Sequence, residues 1–296
     1  VTLHDLPNLD FARTSVTTHN VTLVASGAAN ATFECNGQTD LYALVVNKGT
    51  NTTTTLTISA AARDKFRLWG GNSQDGKKAL FLRSGTLIFA GKTAIASLSE
   101  KDTFVIADKT ALVLDGTDVL VVQKAQNAKQ VADVWGVNLS QVQGVNIPVN
   151  ANDGAKLEIG GQLHVKNGTF AVGDGAVIAT GKNSPGELLI SNGQLFAPQI
   201  YSGDMSLAFH QKGGLVVLRG QREDKDVENY NSTVNPNRTY GASYSATPNF
   251  DKNHGAIGLG KGTDAYIHEA GEFRVVGASE NGHYNLLIDL LVDEDN

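Results

Sequence analysis

The sequence predicts an all-β chain in two parts. An N-terminal β-sandwich is expected over residues 1–125 and a second β region over 151–296, joined by a linker at 126–150. Three observations predict this. Short apolar runs recur along the chain, bounded by Gly and Asn. Glycine is abundant, 32 of 296 residues, and falls between the runs, where tight turns need it. Only one stretch shows helical spacing instead.

In the first part, "LYALVV" (41–46), "NKG" (47–49) and "TTTTLTI" (52–58) read as strand, turn and half-exposed strand, a β-hairpin. Threonine suits the wet side because its branched Cβ favours extended dihedrals. The runs continue through "ALFL" (79–82), "TLIFA" (86–90), "TFVIA" (103–107), "ALVLDG" (111–116) and "VLVV" (119–122). The stretch at 124–142 then places Ala125, Ala128, Val131, Ala132 and Trp135 on one helical face. With Gly136 as a stop, it predicts one short connecting helix near 127–135.

In the second part the strands shorten: "LEI" (157–159), "LHV" (163–165), "FAV" (170–172), "VIA" (177–179), "LLI" (188–190) and "LFA" (195–197). Asn-Gly, Asp-Gly and Gly-Gly turns separate most of them. This spacing fits a β-solenoid and equally a short-stranded sandwich of hairpins, and both stay open. Residues 220–262 are polar and aperiodic, a long arm carrying Tyr230, Tyr240, Tyr244 and Phe250 as subunit or glycan contacts. Strand signals return at 273–292 before the acidic end "DEDN".

Charged residues are only 18% of the chain and the net charge is −6. No basic stripe exists to neutralise phosphates, so nucleic acid is not an expected partner. No apolar run reaches the roughly 18 residues of a membrane span. Residues 1–20 lack the basic stretch and apolar core of a secretory leader. The opening on Val1 fits either a trimmed initiator Met or a removed leader. Cys35 is the single cysteine, so no internal disulfide forms, and the residue reads as buried and structural.

Motifs for catalysis are near misses. In "HGAIGLGKGTD" (254–264) the phosphate-loop spacing from Gly255 reaches Gly260 and Lys261, but position 262 is Gly where Ser or Thr must hold magnesium. No buried strand leads into it. In "HEAGE" (268–272) Glu272 stands where the zinc motif needs its second His, and the stretch reads as a surface hairpin. The seven histidines are scattered, with His164 on the outward side of a strand. The oxygen-rich loops at 115–118, 150–153 and 173–176 are candidates for a structural Ca²⁺. No other cofactor is expected. Seven Asn-x-Ser/Thr sequons occur, at Asn20, Asn30, Asn51, Asn138, Asn167, Asn231 and Asn237.

The segment "TFECNGQTDLYALVVNKGTNTTTTLTI" (32–58), followed by "TLIFAGKTAIASLSEKDTFVIADKTALVLDGTDVLVV" (86–122), resembles the β-sandwich decoration and head-fibre-like proteins of tailed-phage heads. The second half is similar to the β-helical passengers of autotransporter adhesins. Neither resemblance implies catalytic residues. Together with the low-charge surface they imply a structural subunit of an extracellular assembly, located on a virion or a cell surface. Its partners are copies of itself or other shell and fibre subunits. The alternative is a bacterial surface fibre or adhesin binding glycan or protein. A third is a polysaccharide-acting β-helical enzyme, for which Glu158, Asp174 and Glu187 are the carboxylate candidates. The expectation is a non-enzyme.

Overall fold

A computed structural model of the chain describes residues 2–3, 21–70, 78–96, 98, 103–123, 156–172, 177–181, 183–197, 199–202, 205–218, 256–259, 265–275 and 287–290. After β1 (Thr2–Leu3), the first coil runs β2 (Thr22–Gly27), β3 (Ala31–Cys35), β4 (Thr39–Leu41). The second runs β5 (Ala43–Lys48), β6 (Thr55–Ala60), β7 (Phe66–Leu68). In the third, one long strand, β8 (Leu80–Gly91), serves two faces before β9 (Ala94–Ile95).

The fourth coil is β10 (Phe104–Ile106), β11 (Thr110–Asp115), β12 (Leu120–Val122). The fifth is β13 (Lys156–Ile159), β14 (Gln162–Val165), β15 (Thr169–Ala171). The sixth is β16 (Val177–Thr180), β17 (Gly186–Ile190), β18 (Gln194–Ala197). The seventh is β19 (Gln199–Tyr201), β20 (Leu207–Gln211), β21 (Leu215–Leu218). The eighth is β22 (Ala256–Leu259), β23 (Ala265–His268), β24 (Glu272–Val275), and β25 (Leu287–Leu290) opens a ninth.

Strands pair in parallel one coil apart, so the chain winds as a three-faced β-solenoid; the second face is unbroken from β3 to β23, while among the described residues the first face breaks between β8 and β10 and the third between β7 and β9. The all-β class is therefore what the structure shows, and among the described residues there is no helix. The solenoid alternative holds for the second region. It extends into the first region too: the sandwich expected over 1–125 is replaced by the same parallel coils. The 47–49 turn does not close a hairpin, because β5 and β6 lie on different faces and each pairs with other coils. Pairing also runs directly from β11 to β14, on either side of 126–150. The helix expected near 127–135 lies outside the described residues.

Inward residues stack in columns. Ala31, Leu56, Leu87, Leu112, Leu163, Leu188 and Phe209 follow one another in register, as do Phe33, Ile58, Phe89, Leu114, Val165 and Ile190. Apart from Ala31, which is partly buried and packs against it, they belong to one continuous core with Leu157, Ile178 and Ile200 of the first face and Phe170, Leu195 and Val216 of the third. Cys35 lies in it, as expected, and burial pushes its thiol up to about 12. On the third face Val122, Ala171 and Phe196 are buried on the outer side as well. Strands buried on both sides read as continuous apolar runs, which is why "VLVV" shows no alternation.

The corner between the second and third faces explains the recurring Asn-Gly and Gly-Gly pairs. Gly168, Gly193 and Gly214 occupy this corner in successive coils. Their carbonyls accept the amides of Gln194, Leu215 and Glu272, one coil on, at 2.8, 3.0 and 2.8 Å. Gly168 has φ +76°, and a Cβ there would meet the Gly116 carbonyl at 2.6 Å. Glycine is required both for the left-handed backbone and for the close coil approach.

Candidate functional site

Among the described residues, the second face from β11 onward carries a series of hydrogen-bonded polar side chains. Period-two alternation buries Leu163 and Val165 and turns Gln162 and His164 outward, as the sequence led us to expect for His164. Parallel register then lines up one outer column as Val113, His164, Leu189, His210 and Ile267. Alongside it, Asp115, Lys166, Ser191, Lys212 and Glu269 lie at the strand ends.

The polar contacts here join one coil to the next. Lys166 Nζ donates to Asp115 Oδ2 at 2.7 Å, and Asn167 Nδ2 donates to Asp115 Oδ1 at 3.0 Å. Gln162 Nε2 donates to Glu187 Oε2 at 2.7 Å. His164 Nε2 and Ser191 Oγ are hydrogen-bonded at 2.8 Å, and His210 Nε2 and Glu269 Oε1 at 2.7 Å. The Lys166 hydrogen bond holds the Asp115 carboxyl below its ordinary range despite partial burial. Burial, with the Lys166 charge, pushes the His164 imidazole below its usual value, so the ring is neutral at neutral pH.

A serine bonded to a neutral imidazole is half of a nucleophile–base arrangement. The nearby carboxylate of Asp115 acts on His164 only through its charge, and both its oxygens are held by Lys166 and Asn167. Chemically, these groups fasten neighbouring coils and present a neutral, hydrogen-bonding surface. Asp115, in one of the candidate calcium loops, is neutralised by Lys166. Among the described residues no three His, Cys, Asp or Glu side chains converge to hold a metal ion. The other two candidate loops, 150–153 and 173–176, lie outside the described residues.

The inward-facing columns turn polar and lose their cover in the last coils: Gln211 is buried, Tyr266 and Phe273 are half-buried and His268 is exposed. The column that carries Val165 and Ile190 continues as Gln211 and His268, and the leucine column ends in Tyr266. Tyr266 Oη donates to Gln211 Oε1 at 3.1 Å and lies 2.9 Å from His268 Nδ1. Burial pushes its phenol up to about 12. Phe209, Tyr266 and Phe273 form an aromatic cluster, with ring centroids 4.7, 5.5 and 6.3 Å apart. This end of the solenoid offers ring faces beside hydrogen-bonding groups.

Several sequence expectations are relocated. "HEAGE" spans the end of β23, a corner at Gly271 and the start of β24; the strand–turn–strand reading holds, but its strands belong to two faces and form no hairpin. The phosphate-loop lookalike contains β22, whose Ile257 and Leu259 join the core, so a buried strand lies within it. The same strand shortens the arm expected over 220–262. Tyr230, Tyr240, Tyr244 and Phe250 lie outside the described residues, as does Asp174. Glu158 and Glu187 sit on β13 and β17, on different faces, so the fold does not set them across one groove. No family model, curated protein or solved structure matches the chain.

The outer columns have no signature in the sequence. Their members come together only through coil register, with Gln162 aligned to Glu187 and Glu187 to Ala208. The alternation around "LHV" and "LLI" signals which side chains point outward, not which ones meet.

Proposed function

We propose that the chain is a structural subunit of an extracellular assembly, a rigid solenoid module of a virion appendage or surface fibre that works by associating with copies of itself. One observation carries this reading: the coil-to-coil parallel register, which gives the second face an unbroken ladder from β3 to β23. Eight coils at about 4.8 Å each make a body roughly 40 Å long. Such stacked coils provide stiffness from backbone hydrogen bonds and leave the outer side chains free for contacts. The second-face ladder supports the same role, since its charges are paired locally and leave little repulsion between copies.

The test is the solution mass of the purified chain by light scattering over a concentration series, with negative-stain images of the same samples. A fixed oligomer, rings or filaments are expected. A monomer at every concentration would overturn the reading.

The aromatic end at Tyr266, Phe273 and His268 favours a second reading, adhesion to a glycan. Ring faces next to hydrogen-bonding groups suit sugar stacking. A glycan array would show saccharide binding that Tyr266→Ala abolishes.

A further inference from the structure

The first face carries an unusual outer column. On β2, β5 and the first part of β8, Leu23 packs against the core and Leu44, Val46, Leu80 and Leu82 lie in it, so Val24, Val45 and Phe81 point outward. Register places these three directly over one another: Val24 pairs with Val45, and Val45 with Phe81. Val24 is 58% exposed and Phe81 37%, two of the four exposed large hydrophobics among the described residues, and Val45 between them is 7% exposed. Two exposed apolar side chains in register on either side of Val45 make one continuous apolar strip rather than the single scattered residues normal for a protein surface.

We propose that this ridge is the contact through which a second copy of the chain docks, ridge against ridge. The proposal rests on the self-association reading above and names its surface. Two features favour a copy over another occupant. First, the ridge repeats at the rung spacing of about 4.8 Å, and sheet faces interdigitate when the facing side chains share that period, as an identical ridge does. Second, the whole chain carries a net charge of −6, so copies repel one another in general. The strands of this ridge carry no acidic residue: "TLVASG", "ALVVNK" and "LFLRS". Here two acidic chains can approach without like carboxylates meeting. A stable interface buries about 800 Å² per partner. The ridge supplies its apolar centre, and the exposed Thr22, Ser26, Asn47 and Arg83 its rim. An isologous two-fold contact buries both ridges at once.

The experiment compares the full chain with Val24→Asp, Phe81→Asp and a charge-matched control on the second face, Thr57→Asp, by sedimentation velocity over a concentration series. Thermal unfolding confirms that each variant is folded. The ridge variants should raise the concentration for half-association at least about tenfold, since each buries a carboxylate in the contact. Thr57→Asp should leave it unchanged. A second measurement needs no disruptive change: in Val24→Cys, alkylation of the new thiol should slow as protein concentration rises, while in Thr57→Cys it should not. Cys35 stays silent because it is buried. If the wild-type chain associates but the ridge variants do so equally well, the ridge is wrong and self-association uses another face. If the wild-type chain is monomeric throughout, both readings fall.

Discussion

Arg67 clasps Asp40 across one coil step. The two hold the same register on β7 and β4, with Nη2 donating to Oδ2 at 2.6 Å and Nε to Oδ1 at 2.5 Å. The Asp40 side chain is fully buried, Gln38 Nε2 adds a donor at 2.7 Å, and the guanidinium lies 5.3 Å from the Trp69 ring centroid. Burial alone would raise the Asp40 carboxyl. The hydrogen bonds and charge of Arg67 outweigh it and hold the carboxyl below its ordinary range.

Removing one partner leaves a buried charge without compensation. Arg67→Ala should cost about 3–5 kcal/mol of stability, read by urea unfolding at pH 7. The sign of the pH effect follows from the lowered carboxyl: its contribution is complete above the ordinary value near 4 and is lost as pH falls through the folded value. Asp40→Asn should therefore lower stability at neutral pH and flatten the acid limb below about pH 4. An unchanged acid limb would count against this assignment.

Gly168→Ala should destabilise by at least about 2 kcal/mol, because the residue holds a left-handed φ and a Cβ would press on the Gly116 carbonyl. The exposed Gly27, also at positive φ but with open space within 4 Å of where a Cβ would stand, tests backbone strain alone. Gly27→Ala should cost about 1 kcal/mol. Equal costs at the two sites would show that coil contact adds nothing.

The His164 imidazole is harder to protonate in the folded chain than in the unfolded one. The folded state therefore loses stability as pH falls below about 6.5, where the unfolded chain begins to bind the proton first. His164→Gln should reduce the fall in melting temperature between pH 7 and pH 5. A parallel shift of the whole curve would indicate lost packing instead.

Cys35 should be inert to a thiol reagent in the native chain and should react fully once denaturant exposes it. Its thiol is buried and pushed up to about 12, so almost no thiolate exists at neutral pH. Rapid modification of the folded chain would show that the first coils open readily.

By itself the sequence determined the all-β class, the turn positions and much of the inward–outward alternation. Period-two patterning and glycine are local properties, which is why Leu163, His164 and Val165 fall on the sides their alternation predicts. Strand direction was not determined. An Asn-Gly or Gly-Gly pair at 167–168 or 213–214 reverses a hairpin or turns a solenoid corner with the same left-handed backbone, so the local chemistry of both is alike. Nor could it align His164 with Leu189, Asp40 with Arg67 or Val24 with Val45. The coils differ in length and enclose segments as long as 219–255, so no fixed period marks their partners. Only closure of three corners per coil sets which residues stack, and that is a property of the whole winding. The buried ion pair, the second-face ladder and the apolar ridge were decided there, by tertiary register.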